Sequence, residues 1–243
     1  MRNVWIVFKR ELIAYFTTPL AYVLIFIFTL LSLGLTFYFG GFIEQGDASL
    51  SSFFSFHGWI YIIFGPAIGM RLWSEENRTG TTELLLTMPI SPWNAIAGKF
   101  LAAAVTLAVA LLFTVGIVFT VYSLGQPDGA TIWSGYIGSY LVGLASIALT
   151  CAFSAVTRNP ITCLLISVTL CLILVLIGFA PIIDFLRGAH MNTLADICNS
   201  MSFTWHLGEL ARGNMRIQSL VYLITLAGFC LFLTSVFIRS KRS

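Results

Sequence analysis

The sequence predicts an all-α integral membrane protein with six transmembrane helices, and three observations carry that prediction. First, 58% of its 243 residues are hydrophobic and only 9% are charged, with a mean hydropathy of +0.92. A soluble domain carries about a quarter charged residues. Second, six stretches (20–42, 53–70, 97–123, 132–156, 161–183 and 217–238) are close to the about 20 mainly apolar residues that a spanning helix needs. The alternating segments of about 10 residues that mark a transmembrane barrel do not occur. Third, Thr18-Pro19, Ser91-Pro92 and Asn159-Pro160 each pair an N-cap residue with a proline at the first helical position, where its missing N–H costs nothing. These pairs precede the first, third and fifth stretches.

The N-terminal segment 1–19 reads as a short helix lying at the membrane interface. Trp5, Phe8, Leu12, Tyr15 and Phe16 supply apolar area, while Arg2 and Lys9, seven apart, can reach lipid phosphates. Lys9, Arg10 and Glu11 interrupt the apolar run and no A-x-A site follows, so the segment is expected to be retained rather than cleaved as a signal peptide. The connections after spans one and three are short and weakly acidic, with Glu44, Asp47 and Asp128. The segment 184–216 is longer and only half apolar; one or two short helices there are expected to dip into the outer leaflet without crossing. Gly34, Gly65, Gly69, Gly116, Gly138, Gly143 and Gly178 allow close packing of spans, and Pro66 between Gly65 and Gly69 is expected to kink span two.

Orientation follows from the basic residues. With the N-terminus inside, the inner segments hold Arg2, Lys9, Arg10, Arg71, Arg78, Lys99, Arg158, Arg239, Lys241 and Arg242, and the outer ones Arg187, Arg212 and Arg216. That is 10 against 3, so both termini are expected in the cytoplasm. The net charge of +3 is then a topology signal, and no nucleic-acid partner is indicated. Cys151, Cys163, Cys171 and Cys230 fall in spans and Cys198 alone outside, which leaves no intrachain disulfide framework.

The connection "RLWSEENRTGTTELLLTMPIS" is the least apolar long stretch. A charge at the bilayer centre costs roughly 2.5–3.5 kcal/mol. Arg71, Glu75, Glu76, Arg78, Glu83 and Lys99 therefore direct the stretch 71–96 into the cytoplasm. Gly80 at an N-cap with Glu83 at N3 gives half of a capping box, starting a helix over 81–88 that Pro89 ends. Leu84, Leu85 and Met88 form its apolar edge. A two-turn helix, about 12 Å long, is unstable alone in water and must dock, on a partner protein or on the span ends.

The interiors of the spans hold no Asp, Glu or Arg, and Lys99 lies at the cytoplasmic mouth of span three. Coupled carriers keep ionisable or unwound polar sites at mid-membrane depth. His57, near the outer end of span two, reads as a structural residue. No GxxxxGK[ST] motif occurs, so the energy for any transport must come from another subunit.

The run "MRLWSEENRTGTTELLLTMPISPWNAIAGKF" resembles the signature of ABC-2-type transporter permeases, and within them the gliding-motility-type branch. Arg71, Glu75, Glu76, Gly80, Thr81, Glu83, Leu84, Leu85, Pro89, Gly98 and Lys99 fall on that pattern; Asn77 stands where an arginine is common. The similarity extends along the chain: "FKRELIAYFTTPLAYV" resembles the family's interfacial helix, "SAVTRNPI" its turn between spans four and five, and "FTWHLGELARGNMRIQSLVYL" its approach to the last span. The first motif is specific and the others are supportive.

The resemblance implies a single ABC-2-type transmembrane domain over 1–243, with a coupling helix in 71–96 that docks on a separate cytoplasmic ABC ATPase subunit. Glu75, Glu76, Arg78, Gly80, Thr81, Glu83, Leu84, Leu85 and Met88 would make that contact, beside an interfacial helix carrying Lys9, Arg10 and Glu11. It further implies a transport subunit, not an enzyme, without cofactor, in a bacterial inner membrane. A second permease copy, as homodimer or related chain, would complete it, with an additional membrane partner as a further expectation. Two other classes compete: a mechanotransmission or scaffold subunit that moves no substrate, which the small outer loops disfavour, and a secondary carrier, which the lack of intramembrane charge disfavours. His190, Met191, Cys198, Met201 and His206 are soft-metal donors in a spacing that matches no compact site.

A cysteine introduced at Thr82, in a chain lacking its native cysteines, is expected to resist a membrane-impermeant label applied from outside. Labelling from the periplasm would overturn the orientation.

Overall fold

The computed structural model describes residues 2–40, 49–81, 91–125 and 127–240, which form twelve helices. The first is α1, Arg2–Thr17. Thr18 is extended, and its hydroxyl donates back to the carbonyls of Ala14 (3.3 Å) and Tyr15 (2.9 Å), closing α1. Pro19 then starts α2, Pro19–Tyr38. Of the three expected proline starts, the other two do cap with the side chain. Ser91 accepts from the Asn94 amide at the head of α5, Pro92–Phe113, and Asn159 accepts from the Ile161 amide at the head of α8, Pro160–Leu176.

Between these lie α3, Ser51–Gly69, and α4, Arg71–Thr79; then α6, Gly116–Leu124, and α7, Gly129–Val156. Asp128 caps α7 by accepting from the Ala130 amide and the Thr131 hydroxyl. After α8 come α9, Ala180–Gly188, α10, Asn192–Met201, α11, Phe203–Ala211, and α12, Ile217–Ser240.

Five of these helices or near-continuous pairs are long and apolar enough to cross a membrane: α2, α3 with α4, α5 with α6, α7 and α12. The expected fifth span is instead a pair, α8 and α9, bent by 52°, and it makes a sixth only if the pair is one span. The break has a local and a packing cause. Pro181, in the first turn of α9, has no N–H to continue the helix from α8. A Cβ on Gly178 would lie 2.0 Å from Ser202 Oγ, so the chain there is pressed against the head of α11. The Thr204 hydroxyl donates to the Val175 carbonyl at 3.3 Å, serving a backbone group that the bend frees.

The α7 helix is the axis of the bundle, touching α3, α4, α5, α8, α11 and α12. Its small residues let neighbours approach. A Cβ on Gly65 of α3 would meet Ser146 Oγ at 2.0 Å, and one on Gly69 would meet Thr150 Cβ at 2.8 Å. Of the glycines expected to pack, Gly34 and Gly116 instead face open space. His57 is buried against Phe28, Phe53 and Phe54, with Nδ1 2.7 Å from Ser139 Oγ, which also meets the Tyr61 hydroxyl at 2.8 Å.

Gly65→Ala is expected to destabilise the purified protein by about 1–3 kcal/mol through overpacking, read as a lowered Tm. Pairing it with Ser146→Gly should recover part of the loss; an unchanged Tm in the single variant would contradict this packing.

Candidate functional site

At one end of the bundle, α1, α4, α5 and the C-terminus of α7 converge. Charged side chains from three of these helices meet there inside the protein. Lys99 of α5 is only 2% exposed. Its ammonium donates to the Leu72 carbonyl at 2.7 Å and lies 2.9 Å from Glu76 Oε1 and 3.4 Å from Glu11 Oε1. It also sits 5.0 Å from the ring centroid of the fully buried Trp73, a favourable cation–π position. Arg10 closes the group, 2.6 Å from Glu11 and 3.5 Å from Glu76.

Magnitudes explain why several partners are needed. Removing an ammonium from water costs several kcal/mol even after relaxation. One opposite charge at about 4 Å returns about 4 kcal/mol at an effective dielectric near 20. A single carboxylate would therefore leave the lysine near break-even. Two carboxylates, a carbonyl and an indole face together make its burial favourable. With Arg10 outside, the cluster is two positive and two negative charges, hence neutral.

The approach of α1 that makes this possible depends on the residue before Lys99. A Cβ on Gly98 would lie 2.8 Å from Val7 Cβ and 3.0 Å from the Val4 carbonyl oxygen, so a side chain there would push α1 and its Glu11 away. Tyr15 ties the other end of α1 down, donating to the Ile68 carbonyl at 2.8 Å. Burial, and then the Glu11 charge, push the Tyr15 hydroxyl above its ordinary range, which keeps it a donor.

A second set of contacts fastens α4 to α7. The helix is interrupted at Met70, between α3 and α4. Ser154 Oγ accepts from the amides of Trp73 and Ser74, both at 2.9 Å, and donates to the Met70 carbonyl at 3.1 Å. One hydroxyl thus serves three backbone groups at the joint. Asn77 Nδ2 lies within 3.0–3.1 Å of the carbonyls of Ser154, Ala155 and Thr157, the acceptors that the end of α7 leaves unpaired.

The opposite face of α4 is open. Arg71, Glu75 and Arg78 are exposed, the last two 4.0 Å apart. Gly80 ends α4 in the left-handed conformation, φ 74°, the glycine stop of a helix. Residues 82–90 lie outside the described residues, and with them Glu83, Leu84, Leu85 and Met88.

A family model described as ABC-2 family transporter protein matches residues 5–199, from α1 through most of α10. The chain belongs to the ABC-2 transporter family. It is thus a multi-pass membrane subunit of an ABC transporter, in a family whose members normally work with an ABC ATPase and are generally not catalytic themselves. No curated protein matches the chain.

Within this ABC-2 subunit the sequence-predicted residues divide. Glu75, Arg78, Gly80 and Thr81 are exposed at the end of α4. Glu76, expected beside them, turns inward to Lys99. Arg10 and Glu11 belong to the same internal cluster, while Lys9 is exposed. The expectation that these charges would all stay in water fails for Lys99 and Glu76, because pairing replaces their hydration. The stretch 71–96, read as a connection, contains the helix α4 and the first turns of α5. Gly80 closes α4; the helix it was expected to open over 81–88 lies, after Thr81, outside the described residues.

Sequence reasoning missed the roles of Ser154 and Asn77. The one available signal was the asparagine at a position where the resemblance led to an arginine. Far from this site, His206 is buried with both ring nitrogens engaged, Nδ1 at 3.0 Å from Ser219 Oγ and Nε2 at 3.0 Å from the Ser200 carbonyl. It is stacked 4.3 Å from Tyr222, a structural role.

Lys99→Met should strand two carboxylates and cost about 3–5 kcal/mol, as breaking one side of a buried pair does. The double variant Lys99→Met/Glu76→Gln should recover part of that loss. Thermal unfolding of the four proteins checks it; strictly additive losses would mean the two groups do not interact.

Proposed function

We propose that this chain is the permease subunit of an ATP-driven, exporter-like ABC transporter of the gliding-motility-type branch. In this reading residues 71–96 form the contact with a separate cytoplasmic ATPase. The observation that carries the reading is the two-sidedness of α4. Its inner face is fastened to α1 and α5 by the Lys99 cluster and to α7 by Ser154 and Asn77. Its outer face is exposed and leads straight into residues 82–90. A displacement delivered there reaches three other helices through short polar contacts rather than through a loose loop.

The proposal includes six spans with both termini in the cytoplasm of a bacterial cell, the bent α8–α9 pair counting as the fifth. It includes two permease copies with two ATPase subunits, because one such bundle provides only half of an enclosed path. The exposed apolar residues of α2, α8 and α12, among them Phe26, Leu165 and Phe229, suit lipid or a second copy.

Replacing Leu84 and Leu85 with Asp tests the coupling segment. Insertion should be normal, while ATPase capture should be lost, since each buried leucine contributes about 1.5–3 kcal/mol. Glu83→Ala should be milder, at about 0.5–1 kcal/mol of helix-dipole stabilisation. A correctly inserted double variant that still binds the ATPase and retains transport-stimulated hydrolysis would refute the assignment.

A further inference from the structure

The apolar interior divides into two clusters. The larger contains Phe28 of α2, Ile60 of α3, Leu111 of α5 and Val142 of α7. The smaller contains Phe53 and Phe54 of α3, Ile117 and Val121 of α6 and Ile132 of α7. It lies at the end of the bundle remote from Lys99, since α3 starts there and ends beside α4. The α3, α5–α6 and α7 segments each pass from one cluster to the other, and each carries a fully buried polar residue at the crossing. These are His57 on α3, Thr114 at the joint of α5 and α6, and Ser139 on α7. On α2 the buried Ser32 stands between Phe28 and Leu33, which packs on the smaller cluster.

Part of this layer is paired. The Thr114 hydroxyl donates to the Leu111 carbonyl at 2.7 Å, and the Tyr136 hydroxyl donates to the Thr114 carbonyl at 3.3 Å. Two atoms are not: Ser32 Oγ and His57 Nε2 are buried with no hydrogen-bond partner among the described residues, a costly condition. They stand at one level. Phe28 packs on Tyr61 and Phe64 with ring centroids 5.8 and 4.4 Å apart, so one turn onward along α2 from Phe28 faces one turn back along the antiparallel α3 from Tyr61. That turn brings Ser32 opposite His57. With Ser139 donating to Nδ1, the neutral ring carries its hydrogen on Nε2, and Ser32 Oγ is a fitting acceptor just out of reach.

The third span is also broken at this level. Thr114, Val115, Ile117 and Val118 donate to carbonyls three residues back, at 3.0–3.1 Å, so α6 is not locked to the direction of α5. Of α6 only Ile117 and Val121 are buried. A groove of about 480 Å³ separates Val118 and Tyr122 of α6 from Trp133 and Ile137 of α7. Phe53 and Phe54, which hold α6 through the smaller cluster, also pack on the His57 ring, at 4.4 and 5.9 Å. A displacement of that cluster therefore carries α6 and His57 together.

We propose that this layer is a shear plane. The smaller cluster shifts as a unit across the larger, α6 closes the groove against α7, and His57 Nε2 donates to Ser32 Oγ in the shifted state. The assignment does not depend on the ATPase contact proposed above, and its test needs no ATPase.

The test is the rate of disulfide formation between Val118→Cys and Ile137→Cys, on opposite walls of the groove. It uses the full chain, otherwise free of cysteine, in nanodiscs with a membrane-permeant copper oxidant. The rate reads the population in which α6 meets α7. Ser32→Ala removes a bond that only the shifted state makes, and should slow cross-linking about fivefold, the worth of one buried hydrogen bond. His57→Phe should slow it as much, and Ser32→Ala/His57→Phe no further than either alone. If His57→Phe does not assemble, Ser32→Ala decides alone. A general loosening of the bundle would instead speed the reaction. A faster or unchanged rate in Ser32→Ala, or no cross-link in the chain that keeps Ser32 and His57, would overturn the proposal.

Discussion

One buried ammonium organises an entire end of this molecule. Lys99 cannot be desolvated by one partner, so Glu11, Glu76, the Leu72 carbonyl and the Trp73 ring must converge on it. Those groups come from α1 and α4, and each imposes a condition. The α1 helix must lie close to α5, which requires Gly98 to lack a side chain. The α4 helix must turn Glu76 inward, which leaves Arg71, Glu75 and Arg78 facing out. The charge pattern on the surface is thus set by a requirement of the interior.

The joint at Met70 answers a different problem. A helix interrupted near a membrane boundary frees backbone groups that are costly to leave unpaired. Here a neighbouring helix supplies the partners: Ser154 serves the beginning of α4, and Asn77 serves the end of α7 in return. The two elements cap each other. That exchange explains how α4 can be a distinct element and yet be fixed in direction.

Much of the fold was legible from the chain. Hydropathy located the long helices, and the proline pairs marked three of their starts within a residue, because both signals are local. Thr18 shows the limit: the proline start was right, but its hydroxyl serves the preceding helix. The bend at Gly178 had a local signal in Pro181, which starts the second helix of the pair; the packing of Gly178 against Ser202, a residue distant in sequence, was not legible. The same holds for the candidate site. Glu76 and Lys99 were recognisable as members of one motif, but nothing in their spacing said that they touch. Glu75 and Glu76 look equivalent in a string of letters, and only the rotation of α4 separates an exposed carboxylate from a paired one. That residues 81–88 form a helix that must dock was read from the residues; that an ATPase receives it comes from the resemblance.

The close fit of α1 against Gly98 has a consequence for biogenesis. A ribosome delivers the chain from its N-terminus, so Glu11 and Val7 emerge before either of the first two spans, and long before Gly98 and Lys99. Through that interval α1 has neither its groove nor the Lys99 ammonium, and its amphipathic surface is what holds it at the membrane. It settles when the third span arrives. The earliest segment made is therefore among the last to reach its final place, and its docking reports that the first half of the bundle has been assembled.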